Sequence, residues 1–318
     1  MAPFAPSKIL IIGGTGTIGR YITASILRAK PPFPQVTLFT SANTATTKTA
    51  QLDKWKSEGL SVIVGDITSA SDVAAAYKGV DTVISAVGRG GLHVQLELLR
   101  LAEESDSVKW FLPSEFGTDI EHNDKSANEK PHQLKLKVRK YIRENIKKLN
   151  VTYVVTGPYF DMWVETNAKE AGGFNPETKE AYLIDDGEGK IGFCTMWDVG
   201  KFVVATLRHP EESFGKALKV QSFVVTPNQV LAEYEKQTGV KWKVEKFPLD
   251  RTEAVEAKWW EEGNPKATGV TLRRIWAEGG TLYEKNDNEV LGLGPEDLDS
   301  LKVAVKRRLV TDWRSETF

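Results

Sequence analysis

The segment KILIIGGTGTIGR, residues 8–20, leads from a continuous apolar run into a glycine-rich turn and then into a helical pattern. The apolar run predicts a buried strand, and the turn contains Gly13, Gly14, Gly16 and Gly19. Glycines in this position allow backbone N–H groups to approach a pyrophosphate at the helix N-terminus. The segment therefore predicts a strand, turn and helix that bind a dinucleotide, and its alternative is a glycine-rich turn without a ligand.

Further short apolar runs follow, separated by helical patterns. The strand candidates are VTLFT, LSVIVGD, DTVISAVG, VKWFLPSEFG and VTYVVTGPYF, and the helix candidates are 21–29, 50–57, 71–77, 92–104 and 133–149. Continuous apolar strands between helices predict a doubly wound α/β fold, with a parallel sheet covered on both faces. We expect residues 1–160 to form a dinucleotide-binding Rossmann domain. Residues 161–318 are expected to form a smaller substrate-binding lobe, part of which returns to the sheet.

The later part of the chain has a looser pattern. It predicts helices over 196–207, 227–238 and 300–310 and a strand over 217–223. The tryptophan-rich segment 257–269 and the segment 282–298 are expected to be loops or loop-helix segments.

The composition limits the classes of partner that the protein is expected to bind. The 318 residues are 41% hydrophobic and 27% charged, and a net charge of −1 favours neither nucleic acid nor an anionic membrane as a partner. One cysteine, Cys194, and a start without a signal-peptide pattern favour the cytoplasm. The four histidines show no metal-binding spacing, so we expect no metal. A small-molecule substrate and a monomer or homodimer are expected.

The end of the second strand bears on the choice of dinucleotide. An NAD-binding strand usually ends near an acidic residue, but residues 36–48 contain none. Thr40, Ser41, Thr44 and Lys48 could instead bind a 2′-phosphate, which favours NADP, unless this is a solvated polar loop. At later strand ends, Asp66 could accept from adenine or serve a turn, and Ser85, Ala86 and Val87 could lie against a ribose.

The helical pattern of residues 133–149 contains a lysine on its apolar side. Leu134, Val138, Ile142 and Ile146 share one side of the helix, and Lys135 lies within that arc. An unpaired ammonium there would be costly to desolvate, so Lys135 either serves a function or extends to the helix edge.

Four motifs, GGTGTIG, VISAVG, FLPSEFG and KLKVRK, occur in an order and spacing that resemble the isoflavone reductase-like enzymes. This family belongs to the NmrA-like, atypical short-chain dehydrogenases. The resemblance covers about the first 165 residues and, more loosely, FCTMWDVGKFVVATLRHPE. It implies NADPH-dependent reduction of an aromatic or conjugated molecule, in secondary metabolism. It also implies that Lys135 is catalytic. One departure is Thr40, where the family usually has an arginine for the 2′-phosphate.

The resemblance also assigns residues to the cofactor. These are Gly13, Gly16, Thr17, Ile18, Gly19, Ser85, Val87, Pro113, Ser114, Glu115, Phe116, Lys135, Pro158, Tyr159 and Phe160. Our candidates for the substrate walls are Phe116, Tyr159, Phe160 and Trp163. His132, one helical turn before Lys135, could line the pocket, but we expect it to be a surface residue at a helix N-terminus.

No tyrosine is followed four residues later by lysine, which argues against an ordinary carbonyl–alcohol short-chain dehydrogenase. Lys135 could position the cofactor ribose and act as acid or base towards a substrate oxygen. The alternatives are an NmrA-like redox sensor that binds NADP without catalysis, or a dehydratase, cyclase or isomerase on the same fold.

Overall fold

A parallel sheet forms the centre of the protein, which is known from a computed structural model describing residues 4–166, 168–316 and 318. Its strands are β1 (Lys8–Ile12), β2 (Gln35–Thr40), β3 (Leu60–Val64), β4 (Thr82–Ser85), β5 (Trp110–Leu112) and β6 (Asn150–Val151). They lie in the order β3-β2-β1-β4-β5-β6. The order reverses between β1 and β4, and such a reversal opens a crevice at the carboxyl ends of these strands.

Helices cover both faces of this sheet. They are α1 (Gly19–Leu27), α2 (Ala42–Thr47), α3 (Thr49–Ser57), α4 (Ala70–Tyr77), α5 (Gln95–Glu104) and α6 (Gln133–Asn145). Successive side chains of a strand point to opposite faces. Ile9 and Ile11 accordingly pack in one buried cluster with residues of α1 and α3. Leu10 and Ile12 pack in a second cluster with residues of α4, α5 and α6. The predicted doubly wound sheet is confirmed.

The second half of the chain adds small sheets and further helices. Its strands are β7 (Tyr153–Val155), β8 (Gly173–Asn175), β9 (Glu180–Ile184), β10 (Ile191–Phe193), β11 (Ala217–Lys219), β12 (Phe223–Val225) and β13 (Lys243–Phe247). Its helices are α7 (Phe160–Trp163), α8 (Met196–Arg208), α9 (Pro210–Ser213), α10 (Pro227–Thr238), α11 (Leu249–Glu261), α12 (Ala267–Ala277) and α13 (Leu301–Val310). Strand β11 pairs with β7, β10 with β12, and β9 with both β8 and β13.

Helix α8 packs directly on α1, the helix that follows the glycine turn. The contact is close because Gly200 has no side chain: a Cβ there would lie 2.7 Å from the carbonyl oxygen of Tyr21. Residues after 160 thus contribute to the cover of the central sheet.

The segment 257–269 is a loop-helix segment, one of the two expectations for it. It joins the end of α11 to the start of α12, which pack on each other, and Trp260 donates to Thr271 across them at 2.8 Å. Other local predictions differ from the structure. Helix α6 ends at Asn145 rather than at residue 149, and Leu134 on it is exposed. The expected strand 217–223 is divided between β11 and β12.

The polar segment after β2 contains a short helix, α2, which the sequence did not predict. The hydroxyl of Ser41 caps it by accepting from the backbone N–H of Thr44 at 3.2 Å. In none of the described parts of the chain does a helix combine the length and hydropathy needed to cross a bilayer.

Candidate active site

The glycine turn after β1 brings the backbone close to the end of β4. Gly13 has φ +76°, and a Cβ there would lie 2.7 Å from the carbonyl oxygen of Ala86. A Cβ on Gly19 would lie 2.1 Å from the carbonyl oxygen of Gly13. No larger residue fits either position without a shift of the backbone. The turn delivers the N-terminus of α1 to the crevice, where no side chain caps it. This arrangement fits a pyrophosphate.

A cavity of about 560 Å³ lies beside this turn, and we call it the loop groove. Among the residues predicted for the cofactor, those that line it are Gly13, Thr40, Ser41, Thr44, Asp66 and Val87. Its size and its position at the strand ends suit the adenosine part of a dinucleotide.

Asp66 serves a turn, one of the two roles that the sequence suggested for it, and it also lines the loop groove. Its carboxylate lines the loop groove and accepts from the backbone N–H and the hydroxyl of Thr68, each at 2.8 Å. These hydrogen bonds lower the pKa of the carboxyl group, so it is ionised at neutral pH and can accept a hydrogen bond.

Lys48 does not line the loop groove, but it contacts the turn beside it. Its Nζ donates to the carbonyl oxygen of Thr15 at 2.6 Å. Partial burial, and then the nearby Arg20, lower its pKa. Lys48 thus holds a positive charge against the glycine turn.

Residues 113–117, the PSEFG motif, form a turn that is tied to its surroundings at several points. The backbone N–H of Ser114 donates to Gln95 at 2.6 Å, and the Ser114 hydroxyl donates to the carbonyl oxygen of Val87 at 2.8 Å. Phe116 has φ +27°, which is unfavourable for a residue with a side chain. The Tyr159 hydroxyl donates to the carbonyl oxygen of Phe116. These bonds hold the strained turn in place.

Lys135 reaches this turn from the first half of α6. Its Nζ donates to the backbone carbonyl oxygen of Glu115, and the side chain is half-buried. Loss of water around the ammonium lowers the pKa of Lys135 to about 8, with smaller contributions from Arg89 and Arg139 and an opposing one from Glu115. One bond to Glu115 leaves N–H donors of the ammonium for a ligand.

Arg139, one helical turn after Lys135, supports the same motif from behind. It is 2% exposed, and its Nη2 lies 3.1 Å from the carboxylate of Glu115. A second bond, at 2.9 Å, joins it to Glu121. Arg139 was not identified from the sequence. The signal for it was the four-residue spacing from Lys135, which places both residues on one face of the helix.

A second cavity, of about 480 Å³, surrounds the Lys135 ammonium, and we call it the lysine cleft. Six residues predicted for the cofactor or the substrate line it: Thr17, Phe116, Lys135, Pro158, Tyr159 and Trp163. The lining residues that were not assigned to the site from the sequence include Arg89, Met162, Arg273 and Trp276, and His132 also lines the cleft. Apolar and aromatic walls with a few polar groups are typical of small-molecule sites.

Two predicted positions need correction. Phe160 is fully buried and packs edge-on against Phe193 and Phe223, with ring centroids 5.6 and 5.4 Å away, so it belongs to a hydrophobic core and not to the cleft wall. His132 is 2% exposed rather than on the surface. Its Nδ1 lies 2.9 Å from the carbonyl oxygen of Ser126, and burial lowers its pKa, so the ring is neutral at pH 7.

The remaining predicted residues line neither of the two cavities. They are Gly16, Ile18, Gly19, Ser85, Ala86, Pro113, Ser114 and Glu115. They form the glycine turn, the end of β4 and the turn beneath Lys135. Over residues 4–166, 168–316 and 318, no group of three or more potential ligands is arranged to hold a metal ion.

Comparisons with known proteins identify the family of this chain. The NmrA-like family model matches residues 5–261. An isoflavone reductase homolog of Solanum tuberosum is 32% identical over 73% of this chain and 75% of its own. Isoflavone reductase of Medicago sativa is 31% identical over 73% and 76%. A leucoanthocyanidin reductase–NADPH complex from Vitis vinifera superposes with a TM-score of 0.77, at 22% identity, over 96% of this chain and 100% of that one.

The family model covers most of the chain, and two curated relatives exceed 30% identity over nearly three quarters of it. The structural likeness, at lower identity, extends the same fold over almost the whole length. The resemblance inferred from the four motifs is therefore confirmed. The protein belongs to the NmrA-like family, among its isoflavone reductase-like members.

Proposed function

We propose that the protein is an NADPH-dependent reductase that transfers hydride to an aromatic or conjugated small molecule in secondary metabolism. One observation carries this proposal: Lys135 lines a cleft that has aromatic and apolar walls and that begins at the glycine turn. The curated relatives named isoflavone reductase support the same reaction class.

The cofactor would be held by residues of the glycine turn and of the loop groove. The N-terminus of α1 would bind the pyrophosphate, and Asp66 would accept from the adenine amino group. Ser41, Thr44 and Lys48 would bind the 2′-phosphate in place of the usual arginine, because Thr40 carries no charge. When bound, NADPH supplies the hydride.

Lys135 would act on the substrate. With a pKa of about 8, it is mostly protonated at pH 7, yet it can give up its proton more readily than an ordinary lysine. Negative charge develops on the substrate oxygen as the conjugated carbon receives hydride, and the Lys135 ammonium would stabilise that charge and then protonate the oxygen. The bond to the Glu115 carbonyl oxygen fixes the direction of the side chain.

Tyr159 is unsuited to this proton transfer. Its hydroxyl donates to the carbonyl oxygen of Phe116, and burial raises its pKa. Its ring, together with Phe116 and Trp163, would instead form the walls that contact the substrate. These walls would hold the reacting carbon in place, which is the main requirement of hydride transfer.

The two halves of the chain would bind different ligands. We assign the nucleotide to residues 1–160 and the outer wall of the substrate site to residues 161–318. This assignment is supported by Met162, Trp163, Leu272 and Trp276, which line the lysine cleft from the second half. The partner would be a small molecule, and the protein would be a monomer or homodimer.

The test is NADPH oxidation across isoflavones, phenylpropanoid ethers, quinones and enones, with Lys135→Met and the matched control Lys137→Met. Lys137 is exposed two residues further along the same helix. We expect turnover by the wild type and by Lys137→Met, and loss of turnover with retained NADPH binding in Lys135→Met. Tight NADPH binding without oxidation of any compound would contradict the proposal and favour the redox sensor or a non-redox reaction.

A further inference from the structure

We propose that the lysine cleft selects a planar aromatic substrate that carries an anionic group, such as a carboxylate, and that Arg89 binds this group. The inference rests on the proposed function, because it concerns the substrate of the same cleft. The new element is the negative charge of the substrate, which is specified neither by the names of the relatives nor by the role of Lys135.

The charges around the cleft point to an anion. Three of its lining residues are cationic, namely Arg89, Lys135 and Arg273. Within the part of the chain that the structure describes, no aspartate or glutamate lines this cleft. His132 adds no charge, since its ring is neutral, and its Nε2 has no hydrogen-bond partner among the described residues. The cleft is therefore electropositive, and a neutral substrate would leave that charge unbalanced.

Arg89 differs from the other two cations in how its donors are used. Arg273 is buried and donates to the backbone carbonyl oxygens of Trp163, Glu165, Ala171 and Gly172. Because the Arg273 guanidinium makes these four bonds to the backbone, its role is structural. Lys135 donates to the backbone carbonyl oxygen of Glu115, and its remaining donors would bind the reacting oxygen of the substrate.

Arg89 makes a single hydrogen bond within the described residues, from Nη1 to the carbonyl oxygen of Pro131 at 3.0 Å. No carboxylate of those residues lies within 4 Å of its guanidinium. The bond to Pro131, which precedes α6, orients the planar group beside the cleft. A guanidinium has five N–H donors in a fork that matches a carboxylate, so Arg89 retains free donors for one.

An anion at Arg89 would also assist the proton transfer. The positive charge of Arg89 is one of the causes that lower the pKa of Lys135. A bound carboxylate would offset this effect and keep Lys135 protonated until the substrate oxygen needs its proton.

The experiment compares two probes that differ chiefly in charge, cinnamate and cinnamamide. Their affinities for the NADP⁺-saturated protein are measured by calorimetry. The variants are Arg89→Met and the control Arg28→Met, whose surface residue pairs with Glu58 at 3.4 Å. We expect cinnamate to bind about tenfold or more tightly than cinnamamide, as a charge-assisted pair implies. The preference should vanish in Arg89→Met and persist in Arg28→Met.

Equal binding of the two probes by the wild type would overturn the inference, as would a preference that survives in Arg89→Met. NADPH affinity is measured in parallel. If Arg89→Met weakens NADPH binding and leaves the probe preference intact, Arg89 serves the cofactor phosphates and the inference is wrong. The proposed function fails separately: a cinnamate preference that depends on Arg89, without NADPH oxidation by any aromatic acid, would preserve the anion site and refute the reductase.

Discussion

Arg139 and Glu115 form a buried ion pair beneath the catalytic candidate, with Nη2 and Nε of the guanidinium 3.1 and 3.2 Å from the two carboxylate oxygens. Both side chains are at most 3% exposed. The backbone carbonyl of the same Glu115 accepts from Lys135, one helical turn before Arg139. Glu115 of the PSEFG turn therefore contacts two cations of α6. Its carboxylate pairs with Arg139, and its backbone carbonyl oxygen accepts from Lys135.

Loss of one partner of this pair should be costly. Arg139→Met leaves the Glu115 carboxylate buried without its main cation, and we expect the free energy of unfolding to fall by about 3–5 kcal/mol. Urea unfolding measures this loss. Arg143→Met is the control because Arg143 is largely exposed and pairs with Glu121 at 2.8 Å, so it should cost less than about 1 kcal/mol. A similar small loss for both variants would refute a structural role for the buried pair.

The glycine turn should tolerate no side chain at Gly13. Gly13→Ala combines φ +76° with a contact of 2.7 Å to the Ala86 carbonyl oxygen, so we expect a destabilisation of more than about 1 kcal/mol and weaker NADPH binding. Gly90→Ala is the matched control, because nothing lies within 4 Å of a Cβ at Gly90. Thermal unfolding and fluorescence titration with NADPH measure the two effects. Unchanged NADPH affinity in Gly13→Ala would count against binding at this turn.

Lys48 should distinguish NADPH from NADH. We expect Lys48→Met to weaken NADPH binding about tenfold and to leave NADH binding nearly unchanged, because only NADPH carries the 2′-phosphate. Lys54→Met, at an exposed position of α3, is the control. Equal weakening for both cofactors would show that Lys48 acts through its bond to the Thr15 carbonyl oxygen and not on the phosphate.

Local patterns were sufficient to predict the central sheet, the glycine turn and the position of Lys135. Each of these depends on residues that are close in sequence: Gly13 and Gly19 within one turn, or Lys135 within one helix. The partners of Arg139 could not be predicted from local patterns, since Glu115 and Glu121 come from another segment. The helical spacing places Arg139 on the same face as Lys135. An arginine there is expected to be solvated unless a carboxylate from a distant segment pairs with it.

Aromatic residues show the same limit. Phe160 and Trp163 are three residues apart, yet the structure buries Phe160 among Phe193 and Phe223 and places Trp163 at the cleft wall. The cores that decide between these positions form from segments up to tens of residues away. His132 was misplaced for a related reason, because the carbonyl group of Ser126 and the loop before α6 cover it.

We propose that the ammonium of Lys135 provides the proton, and the pH dependence of kcat tests this role. Burial lowers the pKa of Lys135 from 10.5 to about 8, so the acid form is dominant below pH 8 and is lost above it. We predict that kcat of the wild type is level below about pH 8 and falls about tenfold for each further pH unit. Lys135→Arg, which cannot lose its proton in this range, should be slower and show no such decline. A decline of kcat above pH 8 that persists in Lys135→Arg would contradict the account.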